Sequence, residues 1–212
     1  MRKFLKILFV VFGVITLGIA LLVFTFLQSM KPDKDKEEAI KSQAEQYLKE
    51  NFNGNYEVYD ALYDNMGNFG FEYAAKAIRE NTDFLIYYDD ETEKLVDTYI
   101  ASKWRKELEG EIHPFLSENL GENIDVYAFF NDKIGNDLGI DPNGSSSYKD
   151  FDVEATIRLT LPRKKKADDE RVFNEFISYL KTNDKLLHGK VVVAYIAENG
   201  VILEDDEWWE DF

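Results

Sequence analysis

The chain contains no cysteine. That absence excludes disulfides, thiolate metal sites, cysteine nucleophiles and a lipid-modified cysteine. Histidine is scarce, with only His113 and His188 able to titrate near neutrality without a perturbed pKa. Basic residues number 25 against 41 acidic ones, a formal charge of −16 over 212 residues. A surface of that sign repels phosphate, which excludes nucleic acid as an electrostatic partner. There is no H-E-x-x-H, P-loop, G-x-G-x-x-G or G-x-S-x-G. Aromatic residues, at 15%, and hydrophobic residues, at 45%, are sufficient for a packed core.

Long hydrophobic runs are missing too, with one exception. Ile7 to Leu27 reads ILFVVFGVITLGIALLVFTFL, 21 residues without a charge. A helix of that length spans about 30 Å, the thickness of a bilayer's hydrocarbon core. The residues that follow, QSMKPD, lack a small-x-small cleavage pattern, which points to an uncleaved anchor. The expected partner of residues 7–27 is therefore the lipid bilayer. Arg2, Lys3 and Lys6 precede the run; Lys31, Lys34 and Lys36 follow it. The bias is small, but the compact cationic tail favours a cytoplasmic N-terminus and an extracytoplasmic remainder. Beyond the run, 22 basic residues face all 41 acidic ones, leaving −19.

Hydrophobic periodicity predicts an α+β fold: an N-terminal transmembrane helix, then two small antiparallel-sheet-plus-helix subdomains. Residues 1–30 form the tail and anchor, 31–121 an α-β-β-β-α unit, and 122–212 a β-β-α-β-β unit with an acidic tail. Ile40, Ala44, Tyr47, Leu48 and Phe52 recur at helical spacing, with Asp35 as the expected cap. Strands are expected at 56–63, 69–78 and 83–88, placing Phe69, Phe71, Tyr73, Ala75 and Ala77 on one face. Asp89, Asp90, Glu91 and Glu93 are expected in a solvated turn. Ile100, Trp104, Leu108, Ile112 and Leu116 then form a buried helical stripe, which Pro114 should bend or end early. Further strands are expected at 123–130 and 151–161. A polar connection fills 132–150, a helix starts at Asp168, and Asn199-Gly200 turns a hairpin within 191–203.

The stretches YLKENFNGNYEV (47–58), YYDDETEKLVDTY (87–99) and ASKWRKELE (101–109) resemble the YfjL-like family of membrane-anchored proteins of Gram-positive bacteria. The resemblance covers most of the first half, from about Ala39 to Leu120. It implies an envelope location and supplies no catalytic residue. The α-β-β-β order and the acidic strand-end turn are also similar to PepSY domains, extracytoplasmic modules linked to protease regulation.

No residue is assigned a catalytic, cofactor-binding or metal-ligating role, and no cofactor is implied. A Ser117–His113 contact is conceivable at helical spacing, although no carboxylate is placed to orient it. Asp141, Asn143 and Ser145, with Asp150 and Asp152, form a poor match to a calcium loop, since Ser146 and Asp152 stand where Gly and Glu are needed. Arg163 to Lys166, RKKK, is expected to be a solvated charge run. In the C-terminal EDDEWWEDF, adjacent Trp208 and Trp209 would point to opposite faces of a last strand. One is expected to be buried, and the exposed one is the candidate anchor for a protein partner. These observations predict a non-enzymatic module that binds or regulates another envelope protein. The alternatives are an envelope hydrolase with paired carboxylates and a weak calcium-binding module.

Overall fold

The computed structural model describes residues 2–182, 185–197, 199–203 and 207–212. Its first helix, α1 (Arg2–Ser29), contains an 18-residue window, Val11–Gln28, of mean hydropathy 2.3. That helix is long and apolar enough to cross a bilayer.

Helix α2 (Lys34–Asn51) begins two residues before its expected start. Asp33 rather than Asp35 is its cap, with the Asp33 carboxylate accepting from the Asp35 amide at 2.9 Å. The first sheet has the order β1-β2-β3-β4 and is antiparallel throughout: β1 (Tyr56–Tyr63), β2 (Tyr73–Arg79), β3 (Thr82–Asp89) and β4 (Lys94–Asp97). β2 and β3 meet at a two-residue turn, Glu80-Asn81, both at positive φ as a type I′ hairpin requires.

β4 was not expected. The acidic stretch after β3 is the turn of a β3–β4 hairpin, not the run-in to a helix. Asp89 also departs from the solvated expectation. It is buried, accepts from the Thr92 amide and hydroxyl, and pairs with Lys133 at 3.3 Å. Asp90 is exposed. The expected one-sided strand at 69–78 is a loop until Tyr73. Ala75 and Ala77 enter the main core, whereas Phe71 packs on the opposite sheet face.

Helix α3 (Tyr99–Leu120) runs through Pro114 to Leu120 instead of ending early. Pro114 lacks the amide that would bond Gly110, and Gly110 is exposed, so water can serve that carbonyl. The buried stripe holds as expected: Ile100, Trp104, Leu108, Ile112 and Leu116 are all in the core. α3 packs against β3, β5 and α5, so one continuous core connects the two sheets.

The second sheet has the order β5-β6-β7-β8, with β5 (Asp125–Phe129), β6 (Glu154–Leu161), β7 (His188–Tyr195) and β8 (Trp208–Asp211). It departs from the all-antiparallel expectation at one pairing: β6 and β7 are parallel. Between them α5 (Asp169–Thr182) carries the chain back to the start of β6, the usual crossover for a parallel pair. The hairpin after β7 is present as the Ile196–Ile202 bridge. Its turn is closed by the Ala197 amide on the Val201 carbonyl, wider than the expected two-residue turn.

The connection between β5 and β6 is packed rather than loose. It contains α4 (Ile134–Asp137) and a 3-10 turn at Tyr148–Asp150, with Ile134 and Tyr148 buried. A Cβ on Gly135 would sit 2.8 Å from Ile100, so glycine permits α4 to seat on α3. The Trp104 indole donates to the Ser146 carbonyl at 3.1 Å, tying this connection to the helix. Such internal bonds explain why a polar segment folds: its backbone groups find protein partners.

Candidate binding face

Each sheet has one face against helices and one without. On the second sheet the core face carries Ala128, Ile157, Leu159, Val191 and Val193. The other face follows from register. Tyr127 pairs with Arg158, Arg158 with Val192 and Val192 with Trp209, so these four form one row across the sheet. The next row is Phe129, Thr156, Lys190 and Asp211. Tyr127, Phe129 and Trp209 stand 46%, 48% and 58% exposed. Exposed aromatics grouped on a sheet face without a covering helix mark a candidate contact surface.

Cations lie beside these rings. The Arg105 guanidinium is 5.0 Å from the Tyr127 ring and donates to its hydroxyl at 2.8 Å. Lys190 lies 4.2 Å from the Trp209 ring and 3.6 Å from Asp211. Both contacts hold the rings by cation–π attraction while the rings stay exposed.

Three hollows border the face, one of them, of about 360 Å³, lying between Tyr127 and Phe129 on this sheet and Tyr59, Phe69 and Leu85 on the first-sheet side. At the Phe129 end, a cleft of about 720 Å³ lies between the sheets, lined by Tyr87, Phe129, Asp132, Lys133, Lys190 and Phe212. Burial, with the Asp132 charge next, pushes the Tyr87 phenol up to about 12. Partial withdrawal from water raises the Asp132 carboxyl, countered by Arg105. Lys133 is held charged by its bonds to Glu91, 2.9 Å away, and to Asp89. At the other end, a hollow of about 250 Å³ includes Arg158, Val192, Ala194, Ile196 and Ile202.

The C-terminal tryptophans alternate as expected. Trp208 is half-buried against Phe173, with ring centroids 4.9 Å apart, while Trp209 faces solvent. Residues 204–206 of that tail lie outside the described residues. The Ser117 hydroxyl donates to the Pro114 carbonyl at 3.1 Å, and His113 is exposed. His188 opens β7, 3.5 Å from Asp152.

In the candidate calcium loop, the donor oxygens serve the fold. Asp141 accepts from the Asn143 amide and side chain, Asn143 accepts from the Asn53 amide, and Asp150 accepts from the Ser147 amide. Among the described residues, no group of three or more acidic or histidine side chains is arranged to hold a metal ion.

The RKKK run is not simply solvated. Arg163 is bidentate to the buried Asp169 at 2.7 and 2.8 Å, and Lys165 pairs with Glu170 at 2.8 Å. Tyr127, Phe129, Asp132 and Arg158 were not singled out by sequence. The available signal was period two in NIDVYAFF: with Val126 and Ala128 inward, Tyr127 and Phe129 must share the other face.

No family model matches the chain, and no match to a curated protein was found. Among solved structures, it is similar to a DUF5037 family protein from Ruminococcus gnavus ATCC 29149. That match has a TM-score of 0.42 and 15% identity, and covers 76% of each chain.

Proposed function

We propose that the protein is a single-pass, membrane-anchored module whose acidic extracytoplasmic domain binds another envelope protein through the helix-free face of its second sheet. The carrying observation is the row Tyr127–Arg158–Val192–Trp209, with exposed aromatics at both ends. Tyr, Trp and Arg are the residue types that dominate interface energetics. The −19 charge beyond the anchor favours a partner surface with basic residues around an apolar centre. Trp209, the most exposed aromatic of the row, is the principal contact. Trp208 is its positioning neighbour, packed on Phe173.

The test is site-specific photocrosslinking in intact cells. A benzoylphenylalanine at position 127 or 209 is expected to trap the same protein, and Arg158→Glu should abolish the adduct without lowering the amount of folded protein. The proposal fails if neither position traps a partner, or if a probe on the opposite side, at Glu175, traps it equally. The cytoplasmic N-terminus is tested separately by adding protease to intact protoplasts: the C-terminal domain should be digested.

A further inference from the structure

The loop between β1 and β2, Asn65 to Phe71 (NMGNFGF), is seven residues without a charge, in a chain where charged residues make up 31%. Two of its three large apolar side chains reach solvent, while Phe71 is half-buried against Tyr87. Met66 is 72% exposed and Phe69 51%. An exposed, uncharged apolar loop on a strongly acidic domain calls for an apolar neighbour.

The loop lies where the anchor leaves its apolar window. The Asn65 side chain is 3.9 Å from the Met30 sulfur. The Asp33 amide donates to the Tyr73 hydroxyl at 2.9 Å, and Lys36 pairs with Glu72 at 2.9 Å. The apolar window closes at Gln28, so Met30 stands about 3 Å further along the axis. The headgroup layer is roughly 5 to 7 Å deep on each side of the hydrocarbon core. A loop touching Met30 is therefore at headgroup depth.

The loop is also built to enter a poorly hydrated layer. The Asp64 carboxylate accepts from the Met66 amide at 3.1 Å and the Phe69 amide at 2.6 Å. The Asp64 amide in turn donates to the Glu72 carbonyl at 2.9 Å, closing the base. Gly67, at φ +68°, makes the tip. Phe69 stacks on Phe71, and Phe71 packs tilted against Tyr87, with centroids 5.2 and 4.6 Å apart. The Met66 and Phe69 amides are bonded within the loop while their side chains stay exposed, as low-dielectric surroundings require.

We propose that this loop is a second membrane contact, with Met66 and Phe69 seated among the lipid headgroups beside the anchor. The proposal rests on α1 spanning the bilayer. It gives the domain two points of attachment, which fixes its orientation on the membrane and hence the direction in which the Trp209 face is presented.

The absence of cysteine makes a clean test possible. Single-cysteine variants of the full chain, Met66→Cys, Val23→Cys and Glu175→Cys, are labelled with an environment-sensitive nitrobenzoxadiazole and reconstituted into phosphatidylcholine–phosphatidylglycerol vesicles. The position-66 label is expected to emit at shorter wavelength than the position-175 label. Nitroxide carried at the lipid headgroup should quench it, and aqueous iodide should spare it. The position-23 label should be quenched by nitroxide carried mid-chain. A quenched position 23 with an iodide-accessible position 66 overturns the loop contact and leaves the anchor standing. No lipid quenching at position 23 removes the anchor and the loop contact together. Equal lipid quenching at positions 66 and 175 also overturns the proposal, because the dye rather than the loop is then finding the bilayer.

Discussion

Asp169 offers the most exacting test of how the second sheet and its crossover helix are held. Its buried carboxylate accepts four hydrogen bonds: two from Arg163, one from the Lys166 amide at 2.8 Å and one from the Tyr195 hydroxyl at 2.8 Å. Asp169→Ala removes all four and leaves the Arg163 guanidinium with the Lys164 carbonyl at 3.0 Å. Removing one partner of a buried pair costs about 3 to 5 kcal/mol. Arg163 keeps 22% of its side chain in contact with water, so a loss near the lower end, about 3 kcal/mol, is expected. For a domain of this size, that lowers the melting midpoint by roughly 6 to 12 °C. The assay is near-ultraviolet circular dichroism of the full chain in detergent. Arg163→Met with Asp169→Leu should recover most of the loss, because no charge is then left unpaired. Burial pushes the Asp169 carboxyl up, but the bonds from Arg163, the Lys166 amide and Tyr195 together hold it below its ordinary value. The sign follows: its contribution is full above the unfolded carboxylate pKa of about 3.9 and is lost as pH falls through the folded value. Asp169→Asn should therefore flatten the acid limb of the stability curve. A loss under about 1 kcal/mol, as for an exposed pair, would refute this reasoning.

Three further outcomes are expected. Trp104→Ala should cost about 3 to 5 kcal/mol, because it empties a fully buried site and frees the Ser146 carbonyl, and a urea titration would measure it. Trp209→Ala should leave the melt within about 0.5 kcal/mol, while Trp208→Ala should cost more; iodide should quench Trp209 fluorescence more strongly than Trp208 in single-tryptophan variants. Asp89→Asn should cost about 1 to 3 kcal/mol through its Thr92 and Lys133 bonds, while Asp90→Asn changes little in the same melt.

Elements legible in the sequence were those whose pattern is local. The stripe from Ile100 to Leu116 needed only helical spacing, and β6 only its strict alternation. What failed was set by tertiary partners. β4 is four residues long and exists through its pairing with β3, so no periodicity could announce it. The connection from residue 132 to 150 is polar by composition, yet its Tyr148 is buried and hydrogen-bonds to Glu111, 3.1 Å away on α3. Asp89 shares its neighbourhood with Asp90 in sequence, and its bonds from Thr92 and Lys133 separate their roles. The candidate face was half legible for the same reason. Alternation placed Trp208 and Trp209 on opposite sides, but the row joining Trp209 to Arg158 depends on the parallel β6–β7 register. An antiparallel pairing would have reversed the order of neighbours along β7.

The sheet edges bear on which mode of binding the domain can use. Strand addition needs a free row of backbone donors and acceptors. β1 carries a bulge between Val58 and Asp60. On β4, the Asp97 amide donates to the Asn136 side chain at 3.3 Å. On β5, the Ala128 amide donates to the Glu109 carboxylate at 2.9 Å. β8 is only four residues long and carries Glu210 and Asp211. Bulges, occupied amides, short length and like charge are the devices by which proteins discourage edge pairing. With all four edges blunted in this way, an incoming chain gains few backbone bonds at any of them. The second sheet's open face keeps its aromatic rings accessible, so the edges fit the proposed recognition by side-chain contact across the Tyr127–Trp209 row better than strand addition.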